Sequence, residues 1–198
     1  MVLREQVRPA EITSTYNTGL QTALVQCRDI SILHKVKETP TLTMIEQAYG
    51  FKFASRVWVK AQIIEVNDFV GTKGKLSDLQ LDQLSDQVVL EYGALNLLEF
   101  QCFCSRLRSG KYESFFGSVD PMKIIKSLDD FMEDRREDLH KAWIAEEKER
   151  KAAEDLEHAK NCISFEQYWN NLSDEQKSDP VNKKFYSIFS NKKNGVST

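Results

Sequence analysis

One segment of the chain, residues 106–117, concentrates cations and aromatic side chains in and around a loop bounded by glycines. Cations in such a loop can bind phosphates or carboxylates, and aromatic rings can stack on bases or fill apolar pockets. The segment therefore predicts a surface that binds a protein partner or single-stranded nucleic acid. Its candidate contact residues are Arg106, Arg108, Lys111, Tyr112, Phe115 and Phe116.

A second interpretation of this segment stays open. Phe115 and Phe116 would pack beneath the loop as a satellite of the core, while Arg108 and Lys111 would face water. The two interpretations differ in whether the rings lie inside or outside the fold.

Motifs for catalysis and metal binding are absent from the sequence. There is no GxSxG, HExxH or CxxC, and residues 71–75 lack the spacing of a phosphate-binding loop. His140 and His158 lie about 27 Å apart along a helix, which is too far for one metal within one chain. Cys102 and Cys104 diverge by about 200° on a helix and cannot hold one metal either. The sequence therefore predicts a non-enzymatic protein without cofactor or metal.

Composition narrows the class of protein. The 198 residues are 41% hydrophobic and 29% charged, with only 8 Gly and 4 Pro, which favours long helices over many tight turns. The net charge of -3 creates no general attraction to nucleic acid or to an anionic membrane. Charged residues near the start and the lack of a long apolar run argue against secretion and membrane insertion. We expect an all-α cytoplasmic protein whose four cysteines are reduced and packed.

Helical periodicity and capping signals divide the chain into elements. Helices are predicted at 14–28, 41–49, 53–70, 77–91, 96–109, 121–160, 164–171 and 181–189. Within the helix at 53–70, the residues expected to face the core are Val57, Ala61, Ile64 and Phe69. The predicted organisation is an N-terminal arm (1–12), a helical domain (13–145), the distal part of a long charged helix (146–160), an aromatic helical hairpin (161–190) and a flexible tail (191–198).

The long helix and the aromatic hairpin suggest a second kind of function. From Pro121 to about residue 160 the chain has neither Gly nor Pro, and a helix of that length extends about 60 Å. The hairpin carries Phe165, Tyr168, Trp169, Phe185, Tyr186 and Phe189. If these rings do not fold back onto the long helix, they form a patch that could bring chains together. The alternative function is therefore a structural protein that oligomerises through this region.

Two short motifs lie in the block 42–135, Ser-Gly-Lys-Tyr at 109–112 and Phe-Gly-Ser-Val-Asp at 116–120. They are accompanied by Tyr49-Gly50, a helix at 79–92, Glu99 and a final helix that ends near Arg135. With these features the block resembles uncharacterised small helical proteins of bacterial phages and mobile elements, over about half of the chain. The resemblance implies a replication accessory role such as helicase loading, with a replicative helicase as partner, and it carries over no catalytic residue.

Overall fold

Eleven α-helices dominate the structure, a computed structural model that describes residues 8–49 and 54–193. They are α1 Pro9–Thr15, α2 Leu20–Ala23, α3 Ile30–His34, α4 Leu42–Tyr49, α5 Ala54–Phe69, α6 Asp78–Glu91, α7 Leu97–Arg108, α8 Pro121–Asn161, α9 Phe165–Asn171, α10 Asp174–Ser178 and α11 Pro180–Lys193. Within the described residues there is no strand, only two isolated β-bridges. The predicted all-α class is confirmed.

The predicted long charged helix is also confirmed. Helix α8 runs without interruption for 41 residues from Pro121, and the side chain of Asp120 accepts a hydrogen bond from the backbone N–H of Met122 (2.9 Å) at its start. The chain divides into two compact units, one up to Ile144 and one from Ala145. No helix in the described part of the chain is long and apolar enough to cross a membrane.

Helix α7 lies at the centre of the first unit. Every residue from Glu99 to Leu107 is buried, so the helix is surrounded on all sides, as expected for an element in the middle of a core. Phe103 of this helix packs edge-on against Phe131 of α8, with 5.7 Å between ring centroids. A capping box between Asn96 and Glu99 begins the helix, as the sequence predicted.

The N-terminal region differs from the prediction of one helix at 14–28. The chain breaks after α1 because the side chain of Asn17 accepts a hydrogen bond from the backbone N–H of Gly19 (3.0 Å), which favours a turn. Helix α1 begins inside the predicted arm at Pro9, since proline suits the first helical position, and it buries Ile12. Residues 1–7 of that arm lie outside the described residues, as do Gly50, expected to end α4, and residues 194–198 of the predicted tail.

Buried amides hold this N-terminal break against the core. The backbone carbonyl of Tyr16 accepts hydrogen bonds from Trp58 Nε1 (2.9 Å) and from the side-chain amides of Gln62 (3.4 Å) and Gln101 (3.0 Å). The side-chain amide of Gln21 donates to Gln62 Oε1 at 2.7 Å. All three glutamines are buried. The amides of Gln62 and Gln101 therefore satisfy the backbone carbonyl of Tyr16, just after α1, where water would otherwise bind it.

The predicted core face of α5 is wrong. Val57, Ala61, Ile64 and Phe69 are exposed, and the residues that face the interior are Ser55, Trp58, Val59, Gln62, Ile63, Val66 and Asn67. Three of these buried residues, Ser55, Gln62 and Asn67, are polar. The hydrophobic pattern of the sequence therefore indicated that this face of α5 was exposed to solvent. Their burial is tolerated because the interior offers partners, such as the backbone N–H of Leu76, which donates to Asn67 Oδ1 (3.0 Å).

The second unit contains one helix more than the predicted aromatic hairpin. A capping box between Ser173 and Gln176 starts α10, a separate helix of 5 residues between α9 and α11. The rings of Trp169 and Tyr186 pack with centroids 4.3 Å apart. Among residues 145–188, whose side chains the structure describes, none is buried.

The carboxylate of Glu99 joins three helices of the first unit and is fully buried. Its Oε2 accepts a hydrogen bond from the backbone N–H of Asn96 (2.9 Å), and its Oε1 accepts one from Arg135 Nε of α8 (2.8 Å). His34 Nδ1 of α3 lies 3.1 Å from the same Oε1. A buried charge with these partners fixes how α3, α7 and α8 meet.

We expect Glu99→Gln to lower the free energy of unfolding by about 3 kcal/mol, because it leaves the guanidinium of Arg135 without its buried counter-charge. Urea denaturation followed by circular dichroism measures this. The matched control is Glu137→Gln, which removes an exposed ion pair with Lys141 and should cost at most about 0.5 kcal/mol. Equal losses in the two variants would show that the buried carboxylate contributes no more than a surface one.

Candidate functional site

Two loops that are far apart in sequence meet on the surface of the first unit. We call residues 71–75 the glycine loop and residues 109–119 the aromatic loop, and together they form the two-loop surface. The backbone N–H of Gly74 donates to the carbonyl of Gly117 (3.1 Å), and the N–H of Val119 donates to the carbonyl of Gly74 (2.8 Å). The sequence marked each loop separately, but the structure brings them together.

Two glycines allow this meeting. A Cβ on Gly74 would lie 2.6 Å from the Cβ of Ser118, closer than real side chains approach, so only glycine lets the backbones pair. Gly117 has φ +81°, in the left-handed region that glycine adopts without strain. The conformation of the aromatic loop at its tip is therefore set by backbone geometry.

Asp134 of α8 anchors the beginning of the aromatic loop. Its Oδ2 accepts hydrogen bonds from Arg106 Nη1 (3.1 Å), Tyr112 Oη (2.8 Å) and Lys111 Nζ (2.5 Å). Burial alone would raise the pKa of Asp134, but the hydrogen bonds from Lys111 and Tyr112 and the charges of Lys111 and Arg106 outweigh it and lower that pKa. Asp134 thus stays ionised and holds three predicted site residues at once.

Arg106, a predicted contact residue, has an internal role in the structure. It is buried, donates to the backbone carbonyl of Arg28 (3.0 Å) and lies over the ring of Phe131 at 5.6 Å from the centroid. These contacts join the segment before α3, the end of α7 and α8. Arg106 therefore holds the start of the aromatic loop from inside the fold.

Tyr112 and Phe115 also pack inward. The ring of Tyr112 stacks on Phe103 and meets Phe131 edge-on, with centroids 6.5 and 6.4 Å away. Burial raises the pKa of Tyr112, so its hydroxyl stays protonated and donates to Asp134. Phe115 is partly buried against the core. The placement of Phe115 agrees with the satellite-core interpretation, which made no statement about Tyr112.

Arg108 and Lys111 are engaged with neighbouring groups rather than left free in water. The Arg108 guanidinium lies 4.2 Å from the centroid of the Phe69 ring and 3.8 Å from the carboxylate of Glu65. Lys111 is half-exposed, but its ammonium binds Asp134. Each cation already has a carboxylate within reach.

Phe116 is the predicted site residue that extends into solvent. It is 85% exposed, next to Gly117, at the tip of the aromatic loop. Met122, in the first turn of α8, is also largely exposed, and Lys73 is exposed on the glycine loop. No motif in the sequence marks these last two residues, because residues 71–75 resemble a polar helix connector and Met122 resembles an ordinary helix residue. Phe116, Met122 and Lys73 are exposed groups that a partner could reach.

Cys102 and Cys104 of α7 are unsuited to nucleophilic chemistry. Burial raises the pKa of Cys102 to about 12 and also raises the pKa of the fully buried Cys104. Their thiols therefore remain protonated at neutral pH. Cys162 of the second unit is exposed, which differs from the expectation that all four cysteines pack inside.

Comparison with protein families adds one finding to this geometry. Residues 76–178 match DUF6633, described as a family of unknown function. The chain belongs to this family. No curated protein and no solved structure matches the chain significantly. The DUF6633 region covers just over half of the sequence and includes the aromatic loop, Glu99, Asp134 and Arg135. The glycine loop and His34 precede it, so the two-loop surface is built partly from residues outside the region that defines the family match.

The lowered pKa of Asp134 predicts a pH effect on stability. A carboxyl group whose pKa is lower in the folded state stabilises the fold above its unfolded pKa, and this contribution disappears as the pH falls through the folded value. We therefore expect the urea midpoint of the unchanged protein to fall more steeply, from about pH 5 to about pH 2, than that of Asp134→Asn. Asp130→Asn, which alters an exposed carboxylate one turn earlier on α8, is the control and should keep the steeper fall. Parallel curves for the unchanged protein and Asp134→Asn would contradict the anchoring role.

Proposed function

We propose that this chain is a non-enzymatic interaction protein that binds a protein partner through the two-loop surface. The observation that carries the proposal is the exposure of Phe116 on a loop held by the Gly74–Gly117 bridge and by Asp134. An aromatic side chain on a pre-ordered loop loses little conformational freedom on binding, which is typical of residues that dominate an interface.

The pairing of the nearby cations favours a protein over a nucleic acid. Arg106 and Lys111 bind Asp134, and Arg108 lies near Glu65. A phosphate backbone would have to displace these carboxylates, and the net charge of -3 adds no long-range attraction. We infer that the partner presents an apolar pocket for Phe116.

The partner we propose is a replication protein, such as a replicative helicase of a bacterial host. This part of the proposal rests on the resemblance to proteins of phages and mobile elements. Of the two motifs that carry the resemblance, the one at 109–112 lies in the aromatic loop, and the one at 116–120 ends one residue beyond it. The resemblance and the exposed ring therefore point to the same surface.

An affinity pull-down from host lysate tests the proposal, with nuclease added to one half of each sample. We expect the unchanged chain to capture a replication protein in both halves, and Phe116→Ala to lose it because the apolar anchor is gone. Capture that disappears with nuclease would assign the contact to nucleic acid instead. Capture by Phe116→Ala at the unchanged level would contradict the proposed surface.

The control variant is Phe185→Ala, which removes an exposed phenylalanine from the second unit. It should retain the partner. Both rings are largely exposed, so neither substitution should alter the helical circular-dichroism signal. The signal and the melting temperature of each variant are measured first, because a loss of both would place Phe116 in the core.

The alternative function, assembly through the long helix and the C-terminal aromatics, is favoured by a separate observation. The described side chains of the second unit include none that is buried, while Phe185, Tyr186 and Leu156 are exposed. Exposed apolar residues of this kind commonly mark an interaction surface.

Light scattering separates the two functions. The measurements are made with EDTA, which removes metal ions that could link chains. If the two-loop surface is the main site, the full chain should then have the mass of a monomer, and a chain truncated after Ile144 should be monomeric too. A metal-free oligomer that becomes monomeric on truncation would support assembly instead.

A further inference from the structure

His158 and Cys162 lie together at the end of α8. The backbone N–H of Cys162 donates to the carbonyl of His158 (2.8 Å), so the last helical turn places both side chains on one face. His158 Nδ1 and Cys162 Sγ are 3.9 Å apart, and both residues are exposed. The four-residue spacing was present in the sequence but differs from the CxxC spacing expected of a metal site.

The chemistry of this pair suits a metal ion. Imidazole nitrogen and thiolate sulfur are the ligands that Zn²⁺ prefers in proteins. In a tetrahedral site with ordinary Zn–S and Zn–N bond lengths, these two atoms would be roughly 3.6 Å apart. The observed 3.9 Å is close to that separation, so a small side-chain rotation suffices for both atoms to bind one ion.

We propose that His158 and Cys162 form half of a site for a Zn²⁺-class divalent cation, and that the same pair from a second copy of the chain completes it. A structural zinc site takes four protein ligands, and this pair supplies two. Within the described residues, no three His, Cys, Asp or Glu side chains are placed to hold a metal. A twofold axis through the ion would give two nitrogen and two sulfur ligands.

The surroundings of the pair are compatible with a second copy. Beside His158 lies an open groove of about 340 Å³, lined also by Glu154, Glu157 and Asn161. Its two carboxylates favour a cation at this end of the helix. On binding, each thiol gives its proton to solvent and coordinates as thiolate, so no oxidant or other co-reactant is needed.

Titration of the full chain with Co²⁺, after reduction and removal of metal with EDTA, tests the site. Co²⁺ replaces Zn²⁺ in tetrahedral sites and gives an absorption band when thiolate binds it. We expect this band to saturate at one Co²⁺ per two chains. In light scattering, Zn²⁺ should double the mass of the protein, and EDTA should reverse the change. Absence of the band, saturation at one metal per chain or a mass that Zn²⁺ does not change would each overturn the proposal.

Matched variants locate the ligands. Cys162→Ser and His158→Ala should each lose the cobalt–thiolate band and the Zn²⁺-dependent doubling of mass. His140→Ala, which removes another exposed histidine of α8, should keep both. Retention of both signals by Cys162→Ser would place the metal elsewhere and overturn the assignment. The site uses none of the residues of the proposed partner surface. We therefore expect Phe116→Ala to bind Co²⁺ as the unchanged chain does.

Discussion

The first unit depends on one buried negative charge, the carboxylate of Glu99. It completes the capping box of α7, binds Arg135 of α8 and faces His34 of α3. A charge without solvent is tolerated only when its partners surround it, so the three helices must meet in one arrangement for the core to form. The hydrogen bond from the backbone N–H of Ile30 to Asp138 (3.1 Å) joins α3 to α8 a second time, one turn further along.

The order of charges along α8 connects this core to the surface. Asp134 and Arg135 are neighbours in the chain, but Asp134 binds the aromatic loop while Arg135 binds Glu99. The loop that exposes Phe116 is therefore attached to the same turn of helix as the central charge. Because Arg106 and Lys111 bind Asp134, these cations of the segment are already paired. The most exposed group of the aromatic loop is therefore the apolar ring of Phe116.

From α4 to α9, local signals predicted the helix boundaries well, and long-range partners decided much of the rest. The capping boxes at Ser77, Asn96 and Ser164 involve residues three positions apart, so the sequence contains them completely. The buried face of α5 depends on Gln21, 41 positions before Gln62, and no periodicity reports such a partner. The sequence also could not tell which phenylalanine of the adjacent pair points outward, because that depends on the bridge to the glycine loop.

The long-range hydrogen bonds of Tyr16 and Ile30 also have a consequence for folding during synthesis. Gln101, which donates to the carbonyl of Tyr16, follows it by 85 positions, and Asp138 follows Ile30 by 108. On the ribosome, the first thirty residues emerge long before these partners are translated. Contacts so distant along the chain slow folding, since a long loop must close before they form. The backbone carbonyl of Tyr16 and the backbone N–H of Ile30 therefore obtain these partners only after α7 and the first part of α8 have been synthesised.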